Sequence, residues 1–294
     1  MTENMENPKE KPEGGTPAAA SGGKERLDVL LVELGLAPSR EKARAMVMSG
    51  VVFVGNQRID KSGHRIDRQS DLRIHGPSLA YVSRGGLKLE KGLAVFPVKL
   101  QGCRVLDIGA STGGFTDCAL QNGAAGVVAV DVGYGQLDWK LRQDPRVRVM
   151  EKTNARYLKL EDIGEPVDFV TIDVAFISLD KIFPVLPGLM KPGAQGIALI
   201  KPQFEAGREN VGKKGVVRDP KVHAAVIEKV LQELERSGLT ALGLDYSPIR
   251  GPEGNIEYLL WFGYQTGISP DYDHGRTHGL VDKAFQTLKG GDTA

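Results

Sequence analysis

Arg104-Val-Leu-Asp-Ile-Gly-Ala-Ser-Thr-Gly-Gly-Phe-Thr116 is the stretch from which the fold follows. Val105, Leu106 and Ile108 make the short apolar run of a strand buried on both faces of a parallel sheet. Asp107 sits at its carboxyl end, and Gly109, Gly113 and Gly114 permit a tight turn in which backbone can approach a ligand closely. Thr116-Asp-Cys-Ala-Leu120 then opens a helix. Strand, glycine turn and helix form the first half of a nucleotide-binding βαβ unit. A second strand, Val127-Val-Ala-Val-Asp131, ends in an acid about twenty residues on, where such folds hold ribose hydroxyls. The spacing G-A-S-T-G-G departs from the G-x-G-x-x-G of dinucleotide sites. With Asp107 before the turn, it fits S-adenosylmethionine better than NAD.

Further along, three more strand ends carry charge. Val167-Asp-Phe-Val-Thr-Ile-Asp173 is an apolar strand closed by a carboxylate, and Gly196-Ile-Ala-Leu-Ile-Lys201 is one closed by a lysine. Ligands in open α/β sheets lie outside the carboxyl ends of the parallel strands, so Asp173 and Lys201 are expected to converge beside the cofactor. Asn255-Ile-Glu257-Tyr-Leu-Leu-Trp-Phe262 begins a last strand. If it runs antiparallel, its start lies on that same edge and brings Glu257 with it. A lysine closing an apolar strand is a poor structural choice, because an unpaired buried ammonium is costly. Lys88, at the start of a helix whose apolar positions include Leu87 and Leu93, is a second candidate cation, although alone it reads as a surface lysine.

Two lysines and two carboxylates suit methyl transfer to a ribose 2′-hydroxyl, which must lose its proton as it attacks the methyl carbon. A neutral Lys201 could take that proton if its pKa is lowered. Lys88 and burial push in that direction, while Asp173 and Glu257 push the other way. Holding donor and acceptor in line should contribute more than the base itself.

Between Lys201 and the helix over 222–234, three glycines accompany Arg208, Lys213, Lys214 and Arg218. A plain connecting loop is the bland reading. A mobile basic loop touching substrate is preferred, since loops at this sheet edge carry function, and Phe204 could stack on an extruded base.

Upstream, Leu27, Leu30, Leu31 and Leu34 share one helical face with Gly35 as its stop, and Pro38-Ser39 opens a second helix with an Ala43, Met46 and Val47 stripe. Val51 to Val54 and Asp71 to Ile74 read as strands. From Lys24 to His75, ten Lys or Arg face seven Asp or Glu. Charge alone would make Arg40, Lys42 and Arg44 a solvated helix face.

The ends and composition set limits. Residues 1–24, rich in Pro, Glu, Gly and Ala, should be a disordered tail. Residues 268–294 are polar, with two helical turns available from Leu280 and with His274 and His278 too isolated for a metal site. With 38 Lys and Arg against 37 Asp and Glu, only local clustering could bind a polyanion. Cys103 and Cys118 suit core packing in a reducing compartment. Neither a secretory signal nor an apolar run of membrane length is present, so a cytoplasmic protein without membrane contact is expected.

The Arg-Leu-Asp opening, the Ser-Arg-x-x-Ala-Arg helix and the Ser-Gly-x-Val-x-Val turn resemble the S4 RNA-binding domain, which implies that Arg26, Arg40, Lys42 and Arg44 meet RNA phosphates. Lys88, Asp173, Lys201 and Glu257 resemble the K-D-K-E tetrad of the FtsJ-like (RrmJ) ribose 2′-O-methyltransferases. With Ser-Arg-Gly-Gly-Leu-Lys-Leu, Asp-Val-Gly-Tyr-Gly-Gln-Leu and Lys-Pro-Gln-Phe-Glu, residues 25–264 resemble the TlyA (hemolysin A) family. The resemblance implies an α/β, Rossmann-like class I methyltransferase domain over 81–267, mostly parallel with a last antiparallel strand, behind a small α+β S4 domain over 25–80. It implies 2′-O-methylation of cytidine in 16S or 23S ribosomal RNA, or both, from S-adenosylmethionine, by a monomer. Gly109, Ser111, Thr112 and Asp131 would line the cofactor pocket, with Asp107, Ala110, Gly113 and Val132 in the same set. Arg84, Phe204, Lys213 and Lys214 would join the RNA contacts, and no metal is implied. Two other classes remain open: an inactive ribosome-associated RNA-binding protein, and the membrane-active role suggested by the name hemolysin.

Overall fold

The computed structural model describes residues 23–37, 39–48, 50–55, 57–74, 80–270 and 274–288, in two compact units, Met1–Gly76 and Pro77–Ala294. Residues 1–22, most of the expected tail, lie outside the described residues.

In the first unit β1 (Lys24–Arg26), α1 (Leu27–Glu33), α2 (Arg40–Met48), β2 (Val52–Val54), β3 (Gln57–Arg58), β4 (Arg65–Asp67) and β5 (Leu72–Ile74) follow in order. Leu27, Leu30 and Leu31 of α1 pack on Ala43 and Val47 of α2 and on Val52, Ile59 and Ile66, a core of one helical stripe against another. Gly35, at φ +69, ends α1, and the Ser39 hydroxyl accepts the Lys42 amide to start α2. The strands form two small antiparallel sheets, β1–β4 and β3–β2–β5. Lys24 therefore belongs to β1. Three-residue strands are too short to show an alternating pattern, which is why the β1–β4 pair is silent in the sequence.

The second unit runs α3 (Gly85–Val95), β6 (Arg104–Ile108), α4 (Gly114–Gln121), β7 (Gly126–Val130), α5 (Trp139–Arg142), β8 (Val147–Met150), α6 (Leu160–Ile163), β9 (Val167–Ile172), β10 (Met190–Ile200), α7 (Pro202–Glu205), α8 (Pro220–Arg236), β11 (Thr240–Tyr246), β12 (Tyr258–Gly263) and α9 (Thr277–Leu288). Its seven-stranded sheet has the order β11-β12-β10-β9-β6-β7-β8, with β12 antiparallel to both neighbours. Alternate strand residues face opposite cores. Val105, Val127, Phe169, Ile197 and Leu259 pack with Leu89 of α3 and Phe115 of α4. Leu106, Val128, Val170, Ala198 and Leu260 pack with α8 and α9. Strand order reverses between β6 and β9, and the crevice at that point is where such sheets hold ligands.

The 268–294 extension departs from the solvated reading. Val281, Ala284 and Leu288 of α9 are buried, and Arg250 donates to the Leu288 carbonyl at 3.0 Å. Cys118 is buried and Cys103 half-buried, and both thiols are free. Among the described residues no helix is long and apolar enough to cross a membrane.

Candidate active site

Parallel register sets the strand tips level. Ile108 pairs with Val130 on one side and Ile172 on the other, so Gly109, Asp131 and Asp173 emerge side by side. Ile200 pairs with Tyr258 across the antiparallel ladder, which puts Lys201 next to Glu257. The four charged residues meet at this edge. Lys201 Nζ lies 2.5 Å from Asp173 Oδ1. Lys88 Nζ lies 2.6 Å from Glu257 Oε2 and 3.8 Å from Asp173 Oδ2.

Each arm has its own support. Lys88 is buried on the first turn of α3. The segment leading into that helix is held by the buried Asp117 carboxylate of α4, which accepts the Val82 amide at 2.8 Å. Gly114 lets α4 approach: a Cβ there would sit 2.4 Å from Ser83 Oγ and 2.8 Å from the Gly86 nitrogen. Glu257 is fixed by a turn in which Gly251 donates to the Asn255 carbonyl at 2.9 Å, and Gln203 donates to its Oε1 at 3.4 Å.

Burial by itself would lower the pKa of the Lys88 ammonium, but Asp173 and Glu257 outweigh it and hold that pKa above the usual lysine value. Burial would likewise raise the Asp173 carboxyl, yet the Lys88 and Lys201 charges keep it below the usual carboxylate range. Two cations and two anions thus balance within one buried cluster, the condition under which buried charge is tolerated.

Gly109 occupies the left-handed region at φ +86. A Cβ on it would lie 2.5 Å from the Asp173 carbonyl oxygen, so only glycine lets the β6 turn lie against the end of β9. Ser111 shares the left-handed conformation at φ +48, and its amide donates to Asp131 Oδ2 at 2.8 Å. Gly133 donates to Oδ1 at 2.7 Å. An ionised carboxylate has about four acceptor positions, so Asp131 retains capacity for ribose hydroxyls. Val132 stands exposed beside it. Asp107 lies within β6, before the turn. It is buried, accepts the hydroxyls of Thr116 at 2.6 Å and Thr171 at 2.8 Å, and burial pushes its pKa up to about 6. Its place in the set is as a brace between β6, β9 and α4.

Residues 81–264 match the FtsJ-like methyltransferase family, and residues 25–72 match the S4 domain. The chain belongs to the FtsJ-like methyltransferase family. YqxC of Bacillus subtilis is 59% identical over 273 residues, 90% of this chain and 96% of its own. The 16S/23S rRNA (cytidine-2'-O)-methyltransferase TlyA of Mycobacterium tuberculosis is 45% identical over 242 residues, 82% of this chain and 90% of its own. A solved structure from Streptococcus thermophilus matches with a TM-score of 0.74 at 46% identity, over 92% of this chain and 99% of that one.

Among the basic residues of this FtsJ-like chain, Arg84 stands at the start of α3, near enough to Lys88 to oppose its charge. Lys213 and Lys214 are exposed in the loop after α7. That loop is anchored rather than loose at its far end: Asn255 accepts the Val217 amide at 3.1 Å and donates to the Gly215 carbonyl at 2.8 Å. In the S4 unit Lys42 is exposed, while Arg26, Arg40 and Arg44 gather on the buried Asp28.

Two residues at the edge went unread in the sequence. Phe176, three residues beyond Asp173, is 92% exposed at φ +61, with its ring 5.1 Å from that of half-buried Phe204. A left-handed non-glycine conformation costs about 1–2 kcal/mol, which the surroundings must supply. Glu205 supplies part of it, accepting the Leu179 amide at 2.8 Å and the Ser178 hydroxyl at 2.5 Å and so tying the Phe176 loop to α7. An aromatic just past a charged strand tip was the available signal for Phe176. Glu205 closes the Lys-Pro-Gln-Phe-Glu motif, but nothing in that spacing shows that its carboxylate reaches the Phe176 loop.

Proposed function

We propose that this chain transfers the methyl group of S-adenosylmethionine to the 2′-hydroxyl of a cytidine in ribosomal RNA, 16S, 23S or both. The observation that carries this reading is the charged cluster of Lys88, Asp173, Lys201 and Glu257 on the edge shared with the Gly109 turn and Asp131. The substrate comes from the M. tuberculosis relative, whose name states that chemistry. A ribosomal substrate would be met in the cytoplasm.

S-adenosylmethionine, when bound, supplies a methyl group on a sulfonium, already electrophilic. Asp131 would hold its ribose and the Gly109–Gly113 turn would pass beneath it. Among the described residues Lys88 Nζ is held by two carboxylates, Glu257 and Asp173, and Lys201 Nζ by Asp173, so Lys201 is assigned as the proton acceptor. Lys201 would accept the proton of the 2′-hydroxyl as the ribose oxygen bonds the methyl carbon and the sulfonium S–C bond breaks, the neutral thioether being the leaving group. Ionised Asp173 orients the amine and stabilises the ammonium that results. Glu257 holds Lys88, and Lys88 steadies Asp173. Phe204, with Phe176 beside it, offers aromatic surface to the target base. Arg84, Lys213 and Lys214, with Arg26, Arg40, Lys42 and Arg44 in the S4 unit, contact backbone phosphates.

The direct test is to incubate the protein with labelled cofactor and separated 30S and 50S subunits lacking the modification, then map the label. Label on a cytidine 2′-oxygen is expected. Label on a base, or none in either subunit, overturns the assignment. Lys213→Ala with Lys214→Ala should raise the KM for the subunits about tenfold while cofactor affinity is unchanged, since phosphate contacts act through RNA binding alone. Unaltered RNA affinity and turnover would remove this loop from the interface.

A further inference from the structure

The second residue of α1, Asp28, is fully buried, and the way its charge is met is unusual. Arg26 binds it bidentately, from Nε at 2.9 Å and Nη2 at 3.1 Å. Arg40 adds Nη2 at 3.2 Å and Arg44 adds Nε at 3.1 Å, both to Oδ2. These contacts keep its carboxyl well below the usual carboxylate range, Arg26 contributing most.

One guanidinium is enough to neutralise one carboxylate, and Arg26 alone makes the paired geometry that does so best. Arg40 and Arg44 are surplus to that need, and they leave the patch with two net positive charges. The surplus has a use. The three arginine side chains remain 40%, 53% and 53% exposed. Each guanidinium has five donors, of which Asp28 takes one or two. An arginine free in solvent must lose rotamer freedom when it grips a phosphate; these have already lost it within the folded domain.

We propose that Asp28 is a positioning residue for RNA, a buried anchor that sets the guanidiniums of Arg26, Arg40 and Arg44 as one preformed fork for a stretch of sugar–phosphate backbone. The proposal rests on the reading of the N-terminal unit as an RNA-binding module.

Asp28→Asn separates orientation from charge, because the two act with opposite sign. The substitution makes the patch one unit more positive. If the arginines act only as diffuse positive charge, binding of the full chain to unmodified 50S or 30S subunits must tighten. If Asp28 aims them, binding weakens, by about tenfold or more, since several rotamer-rich side chains then have to be ordered on binding. Affinity equal to or tighter than that of the unaltered protein overturns the proposal. Arg44→Lys is the second variant, in case Asp28→Asn unfolds the unit. It keeps the charge, lies on an exposed helix face and lacks the Nε donor that reaches Asp28. It should bind several-fold more weakly, and unchanged affinity counts against the proposal. Should the unaltered protein fail to bind either subunit, the RNA-binding reading fails first and takes this proposal with it. Should it bind while both variants bind equally well, only the role of Asp28 is lost.

Discussion

Lys201→Met abolishes methyl transfer while leaving cofactor binding in place. The lysine stands at the tip of β10, 2.5 Å from Asp173, and removing a group that moves the proton in the transition state costs about 10²–10⁴-fold in rate. The loss should fall on kcat, because the cofactor contacts proposed for the Gly109 turn and Asp131 lie at the tips of other strands. Lys201→Arg sharpens the test. Arginine keeps the positive charge beside Asp173 but cannot give up its proton in a protein. It should therefore be as inactive as methionine if Lys201 is the proton acceptor. Single-turnover methylation of 50S and 30S subunits, with cofactor affinity by calorimetry, gives both quantities. An active Lys201→Arg enzyme would leave Lys201 as an electrostatic stabiliser and remove the base assignment.

The second large effect is expected from a single methyl group. Gly109→Ala places a Cβ 2.5 Å from the Asp173 carbonyl oxygen and 2.9 Å from its carbonyl carbon, at a backbone φ of +86. The obstacle is backbone held in a parallel ladder, so it cannot swing aside as a side-chain end would. Left-handed strain of about 1–2 kcal/mol joins overpacking of about 1–3 kcal/mol. At about 2–4 °C per kcal/mol for a unit of this size, Tm should fall by roughly 5–15 °C. Forcing β6 and β9 apart at their tips also displaces both the cofactor turn and Asp173, so cofactor binding and methyl transfer should be lost together. Thermal unfolding and calorimetry of the variant test this, and native affinity with an unchanged Tm would show that the turn tolerates a side chain.

Much of the architecture could be read from the chain because its signals are local. Val105 to Ile108, Val127 to Val130 and Val167 to Ile172 are apolar runs with punctuating glycines or acids, and each became a strand of the central sheet. The last strand is expected to run antiparallel, which brings Glu257 to the same edge, and β12 runs that way against β10. Amphipathic spacing gave α1, α2 and α8 in the same manner. Elements whose signal is short or distant were not legible. The three-residue β1 and β4 carry no period, and α9 looked polar because its buried residues Val281, Ala284 and Leu288 are a narrow stripe in a short helix.

What the sequence by itself determined is the strands that carry the site and which charged residues stand at their tips, since both depend on neighbours a few positions apart. What only the tertiary structure decided is how those charges are shared. Lys88 and Glu257 are 169 positions apart in the chain, yet Lys88 Nζ donates to Glu257 Oε2 at 2.6 Å. Asp28 turns three arginines that spacing alone would leave in solvent into one cluster. Electrostatic and hydrogen-bond energies fall off over a few ångströms of space, and a distance of that kind is set by packing, which the chain's linear spacing does not record.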